Sequence, residues 1–273
     1  MRWGAEDAME KPSKHNTLNA KQLHLLKLAY KFRFITAPLM ADYKGLKSRH
    51  AMYMTLERLA KQKYLGKRTD SNSNFQNKGI RYYLTPDGLK VLKDKYGFSN
   101  SAIFALYKNN IVSENFIEQY SDTLRVYLRL RASYPEVFHM FTKTELLDYD
   151  NFPEQLPNLY LNRIQSSELT TSEYMAYILP PTQLFILKKF LNMLLEHFDS
   201  GDWEEDYPTI VLVCPDSGTE ERVQKHIAST LDSAGIDDLL IYTTSLKALL
   251  NSDKQNLTIW SSVYEPGKLL SLS

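Results

Sequence analysis

Apolar residues in the first hundred positions recur three and four apart, then two apart, then three and four apart again. That switch of period lays out the elements. Leu18-Asn19-Ala20 opens a helix with apolar positions at Leu23, Leu25, Leu26, Leu28 and Ala29, running to about Phe32. Phe34-Ile35-Thr36 is a short extended link. Thr36 can cap a second, short helix with Pro38 in its first turn, where a missing N–H costs nothing, and Gly45 ends it. Ser48 caps a third helix in SRHAMYMTLERLAKQKYLGKR, residues 48–68. There Met52, Leu56 and Leu59 fall at i, i+4 and i+7 and make a stripe that faces a core. Two strand-like pieces follow, 64–68 and 80–84, joined by the polar TDSNSNFQNKG. Thr85-Pro86-Asp87-Gly88 caps a last helix through Tyr96.

Residues 98–113 mix polar and apolar positions and read as a connector with room for a short helix. The stretch 113–132 is an amphipathic helix, with Phe116, Ile117, Tyr120, Leu124, Tyr127, Leu128 and Leu130 as its apolar positions. Strand-like pieces follow at 137–142, 159–163 and 174–179, then a strong helix at 182–197. The continuous apolar run 209–213 predicts a buried strand, and Cys214-Pro215-Asp216-Ser217 turns into a helix to about Ala234. A strand at 239–243, a helical turn or two at 245–250 and a strand at 257–263 complete the chain. The order α-β-β-β-α-β-α-β-α-β predicts an α/β domain with a mixed sheet.

Length and charge change this picture more than composition does. The 273 residues suffice for two domains, and 43% hydrophobic and 24% charged residues are ordinary for a globular chain. The reading is a flexible arm (1–16), an α+β domain (17–97), a connector (98–113) and an α/β domain (114–273). No apolar run approaches the roughly 20 residues that span a bilayer. The polar, mixed-charge N-terminus does not read as a signal peptide. Cys214 is the single cysteine, which leaves no disulfide framework or Cys-based zinc cluster. A cytoplasmic protein without membrane partner or cofactor is expected. The net charge of +1 hides an asymmetry: residues 1–97 hold 20 Lys and Arg against 8 Asp and Glu, a net +12, while residues 98–273 hold 13 against 24, a net −11. A basic module joined to an acidic one points to a polyanionic partner for the first half.

LERLAKQKYLGKR followed by RYYLTPDGLKVL resembles the segment found in many winged helix-turn-helix DNA-binding domains, and the likeness covers about residues 17–97. It implies a recognition helix, a basic strand, a variable wing and a closing helix. With Met52, Leu56 and Leu59 inward, the opposite face of the third helix shows Arg49, His50, Tyr53 and Lys61. A helix fits the major groove, where Arg can bond a guanine edge through two hydrogen bonds. Lys47, just before the helix, can meet a phosphate near the positive end of the helix dipole. Lys67, Arg68, Lys78 and Arg81 flank the wing and are candidates for gripping the backbone or the minor groove. Glu57 near this face works against close phosphate contact.

The order of elements in the second half resembles the restriction-endonuclease-like fold. That family implies an early acidic residue, a "PD" at the second strand and an acid-x-Lys on the third, which together hold a metal and activate water. Here PNLYL places the neutral Asn158 at the second position, Ala176 and Ile178 occupy the third, and Glu145 alone survives. No catalytic residue and no metal ligand is assigned. A winged helix joined to such a degenerate domain resembles the replication-relaxation family of plasmids and mobile elements, implying an accessory role in replication, mobilisation or transcription. Other motifs have plainer readings. Ser217-x-x-Glu220 is a capping box, Cys214 is core, and residues 199–206 are a solvated acidic loop. The six histidines lack ligand spacing, which weakens any relaxase-type tyrosine. Three readings stay open. The first is a sequence-specific protein for double-stranded DNA, whose acidic half serves a homodimer or a protein partner. The second is a metal-dependent nuclease or relaxase-type enzyme. The third is a protein-interaction adaptor.

Overall fold

The computed structural model describes residues 18–69, 79–97, 100–163, 173–181, 183–203, 206–253 and 257–272. The first half contains α1 (Ala20–Phe32), β1 (Ile35–Thr36), α2 (Ala37–Tyr43), α3 (Arg49–Lys61), β2 (Leu65–Arg68), β3 (Arg81–Leu84) and α4 (Pro86–Tyr96). Local chemistry sets several of these boundaries. Asn19 and Gln22 form a reciprocal capping box at α1: each side-chain oxygen accepts from the other's backbone N–H, at 2.9 and 3.0 Å. Thr36 accepts from Leu39 N at 3.4 Å and Thr85 from Gly88 N at 3.2 Å, as the sequence predicts. Ser48 stands at the N-cap of α3 but makes no side-chain cap bond, which corrects the expectation that it caps that helix.

The three strands pair antiparallel in the order β1-β3-β2. Their alternation puts Tyr82, Leu84, Leu65 and Lys67 on the face toward α1 and α3, and Arg81, Tyr83, Arg68 and Gly66 on the other. A Cβ at Gly66 would meet the far end of the Tyr83 ring, which would have to move aside. Gly88 likewise starts α4 against the Tyr64 carbonyl.

The second half contains α5 (Asn100–Leu106), α6 (Glu114–Ser133), β4 (Phe138–Thr142), β5 (Leu159–Arg163), β6 (Glu173–Ile178), α7 (Leu184–Ser200), β7 (Thr209–Cys214), α8 (Ser217–Ala234), β8 (Ile241–Ser245), α9 (Leu246–Asn251), β9 (Trp260–Ser262) and β10 (Leu269–Leu270). Its seven-stranded sheet runs in chain order from β4 to β10. The central pairs β6–β7 and β7–β8 are parallel and the outer pairs antiparallel, the mixed sheet that the pattern predicts. Both faces of the central strands are covered. Ala176, Ile178, Val211 and Val213 pack with Leu124, Tyr127 and Leu249 of α6 and α9. Met175, Tyr177, Ile210 and Leu212 pack with Leu187, Phe190, Val223 and Ile227 of α7 and α8. The two-residue β10 has too short a pattern to be read from sequence. The N-cap of α8 is Asp216, not Ser217, which corrects the capping box expected at Ser217-x-x-Glu220: a cap bond stands one residue earlier, Asp216 Oδ1 accepting from Thr219 N at 2.8 Å.

The two halves share one core. Leu25, Leu26, Phe32 and Met40 belong to the same buried cluster as Tyr127, Leu130 and Phe138. Arg33, at φ 58°, terminates α1 and sends its guanidinium across to the second half. It donates to Asn109 Oδ1 at 2.6 and 3.0 Å and to the Ala105 carbonyl at 2.7 Å, and lies 4.7 Å from the Phe116 ring centroid. No helix among the described residues is long and apolar enough to cross a membrane.

Candidate nucleic-acid interface

The stripe Met52, Leu56 and Leu59 is buried, which leaves the opposite side of α3 on the outside. Arg49, His50 and Lys61 are exposed on it, with Tyr53 beside them and Lys47 exposed just before its first turn. None of these cations pairs with a carboxylate among the described residues. Met54 and Arg58 are also exposed on α3; the sequence reading missed them, although their spacing from Lys61 already places them off the core stripe. Ser48 makes no cap bond, so its side chain leaves the N–H groups of the first turn without an acceptor among the described residues. Arg49, His50 and Tyr53 also form one wall of a hollow of about 340 Å³ closed by Pro38, Ile80 and Tyr82.

Glu57 does not stand out toward a ligand. Tyr82 donates to its Oε1 at 2.7 Å and Lys67 Nζ lies 3.2 Å from its Oε2. The Tyr82 hydrogen bond first, and then Lys67, hold the Glu57 carboxyl below the usual carboxylate range. Burial first, and then Glu57, push the Tyr82 phenol up. Lys67 thus belongs to the seam between α3 and β2, and half of its side chain remains open to solvent.

Two wing candidates face elsewhere. Arg68 and Arg81 are register partners on β2 and β3, on the face that α6 covers. Arg68 donates to the Asn110 and Val112 carbonyls at 2.8 and 3.2 Å and to Glu114 Oε1 at 2.9 Å. Arg81 is buried, with Glu118 Oε2 at 3.4 Å from its Nη2. Its Nη1 lies 3.3 Å from Glu114 Oε2, a charge contact that lacks hydrogen-bond alignment. These two arginines hold α6 against the small sheet and are withdrawn from the outer face. Lys78 lies outside the described residues.

Asn158, Ala176, Ile178 and Glu145, which the sequence reading compared with a nuclease metal site, also face inward partners. Asn158 Oδ1 accepts from Ile178 N at 2.8 Å and its Nδ2 donates to Thr123 Oγ1 at 3.4 Å, tying β6 to α6. Ala176 and Ile178 are buried. Glu145 pairs with Lys31 at 3.0 Å and accepts from Thr142 N at 2.8 Å, so it closes the turn after β4 against α1. Among the described residues no three His, Cys, Asp or Glu side chains are placed to share a metal ion. The chain matches no protein-family model and no curated protein.

Proposed function

We propose that this chain binds double-stranded DNA in a sequence-dependent way, as a winged helix-turn-helix protein that lays α3 in the major groove. The observation that carries the reading is the outward face of α3: Arg49, His50, Tyr53 and Lys61 stand clear of the core, without an ion pair among the described residues, in a half of net charge +12. Internal neutralisation of Glu57 supports it, because the one acid of that helix is tied to Tyr82 and Lys67. Arg49 would read a guanine edge, while Lys47, Lys61 and the open first turn of α3 would meet phosphates. The acidic half is then the scaffold and the surface for a second copy or a protein partner. The resemblance to the replication-relaxation family supports an accessory, non-catalytic role on a mobile element.

The test is a selection of bound duplexes from random DNA with the full chain, followed by titration of the selected site at several salt concentrations. A defined motif and an affinity that falls steeply with salt are expected. Arg49→Ala should cost about 1–3 kcal/mol at the selected site, and Lys67→Ala should weaken all duplexes alike by a smaller amount. No enrichment, or equal affinity of parent and Arg49→Ala, overturns the proposal.

A further inference from the structure

On the flank of α3 away from the small sheet lies a groove of about 720 Å³, bounded by the start of α1, the turn after α2 and the end of α6. Lys21 and His24 of α1, Lys44 after α2, Arg58 of α3 and Arg131 of α6 line it, and no Asp or Glu is among its described lining residues. None of the five has a carboxylate partner among the described residues. Arg131 is held in place by an aromatic face: its guanidinium carbon lies 4.3 Å from the Tyr43 ring centroid, and Tyr43 in turn stacks on Tyr127 at 6.5 Å and 19°. The His24 ring packs on the same tyrosine at 5.8 Å.

Like charges gathered in one place repel one another, and burial penalises each of them further. Burial, followed by the charges of Lys44, Lys27 and Arg131, lowers the His24 pKa. Burial, followed by Lys21, lowers that of Lys44. The second half holds 24 acidic residues, yet no carboxylate among the described residues lines this groove. An arginine seated over a ring, flanked by lysines, suits the oxygens of a phosphoryl group, which the guanidinium fork can take in pairs. Two lysines and two arginines spread around the groove match a ligand with more than one phosphoryl group better than a single phosphate.

We propose that this groove binds a small ligand carrying two or more phosphoryl groups, held by Lys21, Lys44, Arg58 and Arg131. The site does not rest on DNA binding. It does touch α3, because Ala51, Met52 and Thr55 complete its wall. An occupied groove therefore joins α3 to α6 through the ligand and can shift how α3 is held. His24 shares the groove with Lys21, Lys44, Arg58, Arg131 and the Tyr43 phenol, and Lys27 lies beside it. A bound anion favours the imidazolium, so saturation should raise the His24 pKa.

The test uses the full chain, inorganic pyrophosphate as probe, fixed ionic strength and no DNA. Calorimetry should show saturable binding to one site. Arg131→Gln and Lys44→Gln should each weaken it at least tenfold with an unchanged near-ultraviolet spectrum. Arg131→Lys should recover part of the loss, and Lys188→Gln, outside the groove, should change nothing. The His24 ring proton, followed by NMR, should titrate at higher pH when pyrophosphate is bound. Absence of saturable heat, or equal weakening by Lys188→Gln, overturns the proposal. A duplex that displaces pyrophosphate and loses affinity in step with Arg131→Gln also overturns it, by assigning the groove to the DNA backbone. Pyrophosphate binding that persists in Arg49→Ala separates this site from the outer face of α3.

Discussion

Arg49 and Arg81 carry the same guanidinium but opposite duties. Arg49 lies exposed at the start of α3, while Arg81 is enclosed between the small sheet and α6. Arg81→Ala should therefore destabilise the protein and leave duplex affinity of the folded fraction unchanged. The cost should be about 2 kcal/mol, below the ~3–5 kcal/mol of a fully enclosed pair, because water can take over Glu114 and Glu118; their side chains are 40% and 32% exposed. Denaturant unfolding and a DNA titration of the same sample check both halves of the statement. The sequence alone could not separate the two arginines, since Arg81 has the residue type and position of a wing cation. What withdraws it is its partner Glu118, 37 residues away. The available signal was joint: period two places Arg81 with Tyr83, and Glu114 and Glu118 stand four apart on the helix that meets them. Cys214 shows the opposite case, because its place at the end of an apolar run already marked it as core. Burial first, and then Glu220 and Asp216, push its thiol up to about 12. At pH 8 the native protein should resist a disulfide-exchange reagent that labels the unfolded chain rapidly.

Element boundaries follow the caps, and the caps differ in what they do. Thr85 both accepts from Gly88 N and donates to the Lys63 carbonyl, so it joins α4 to the turn after α3. Ser48 makes no cap bond at α3. Thr85→Ala should cost about 1–2 kcal/mol and Ser48→Ala less than about 0.5 kcal/mol, measured by thermal or denaturant unfolding. Both residues satisfy the same sequence rule for an N-cap, and the difference arises from what the chain packs beside each. The stripe Met52, Leu56, Leu59 was legible because a helix face needs only its own spacing. The two-residue β10 was not, because a short edge strand exists only through its pairing with β9. The displaced cap at Asp216 has a similar cause: Asp and Ser are both good caps in adjacent positions, and the exit of β7 decides between them.

For the whole molecule, the shared core matters more than the charge boundary. Composition changes sign near residue 98, which invites a division into two domains. The buried cluster nevertheless runs from Leu25 and Met40 to Tyr127 and Phe138 without a break, and Arg33 crosses the same junction. The protein should therefore unfold in one transition, with calorimetric and van't Hoff enthalpies equal; two resolved steps would count against a common core. Charge pattern reports which surface faces solvent, whereas cohesion is decided by apolar positions whose partners lie about a hundred residues away. That is why the outer face of α3 could be read early and the seam could not.

The seven strands of the large sheet lie side by side in the order in which a ribosome would release them. Each strand thus meets a neighbour that has already left the exit tunnel, and none has to be threaded between two earlier ones. The sheet can widen along a single growing edge during synthesis, so a stalled chain would hold a narrower version of the finished layer instead of one with a gap in its middle.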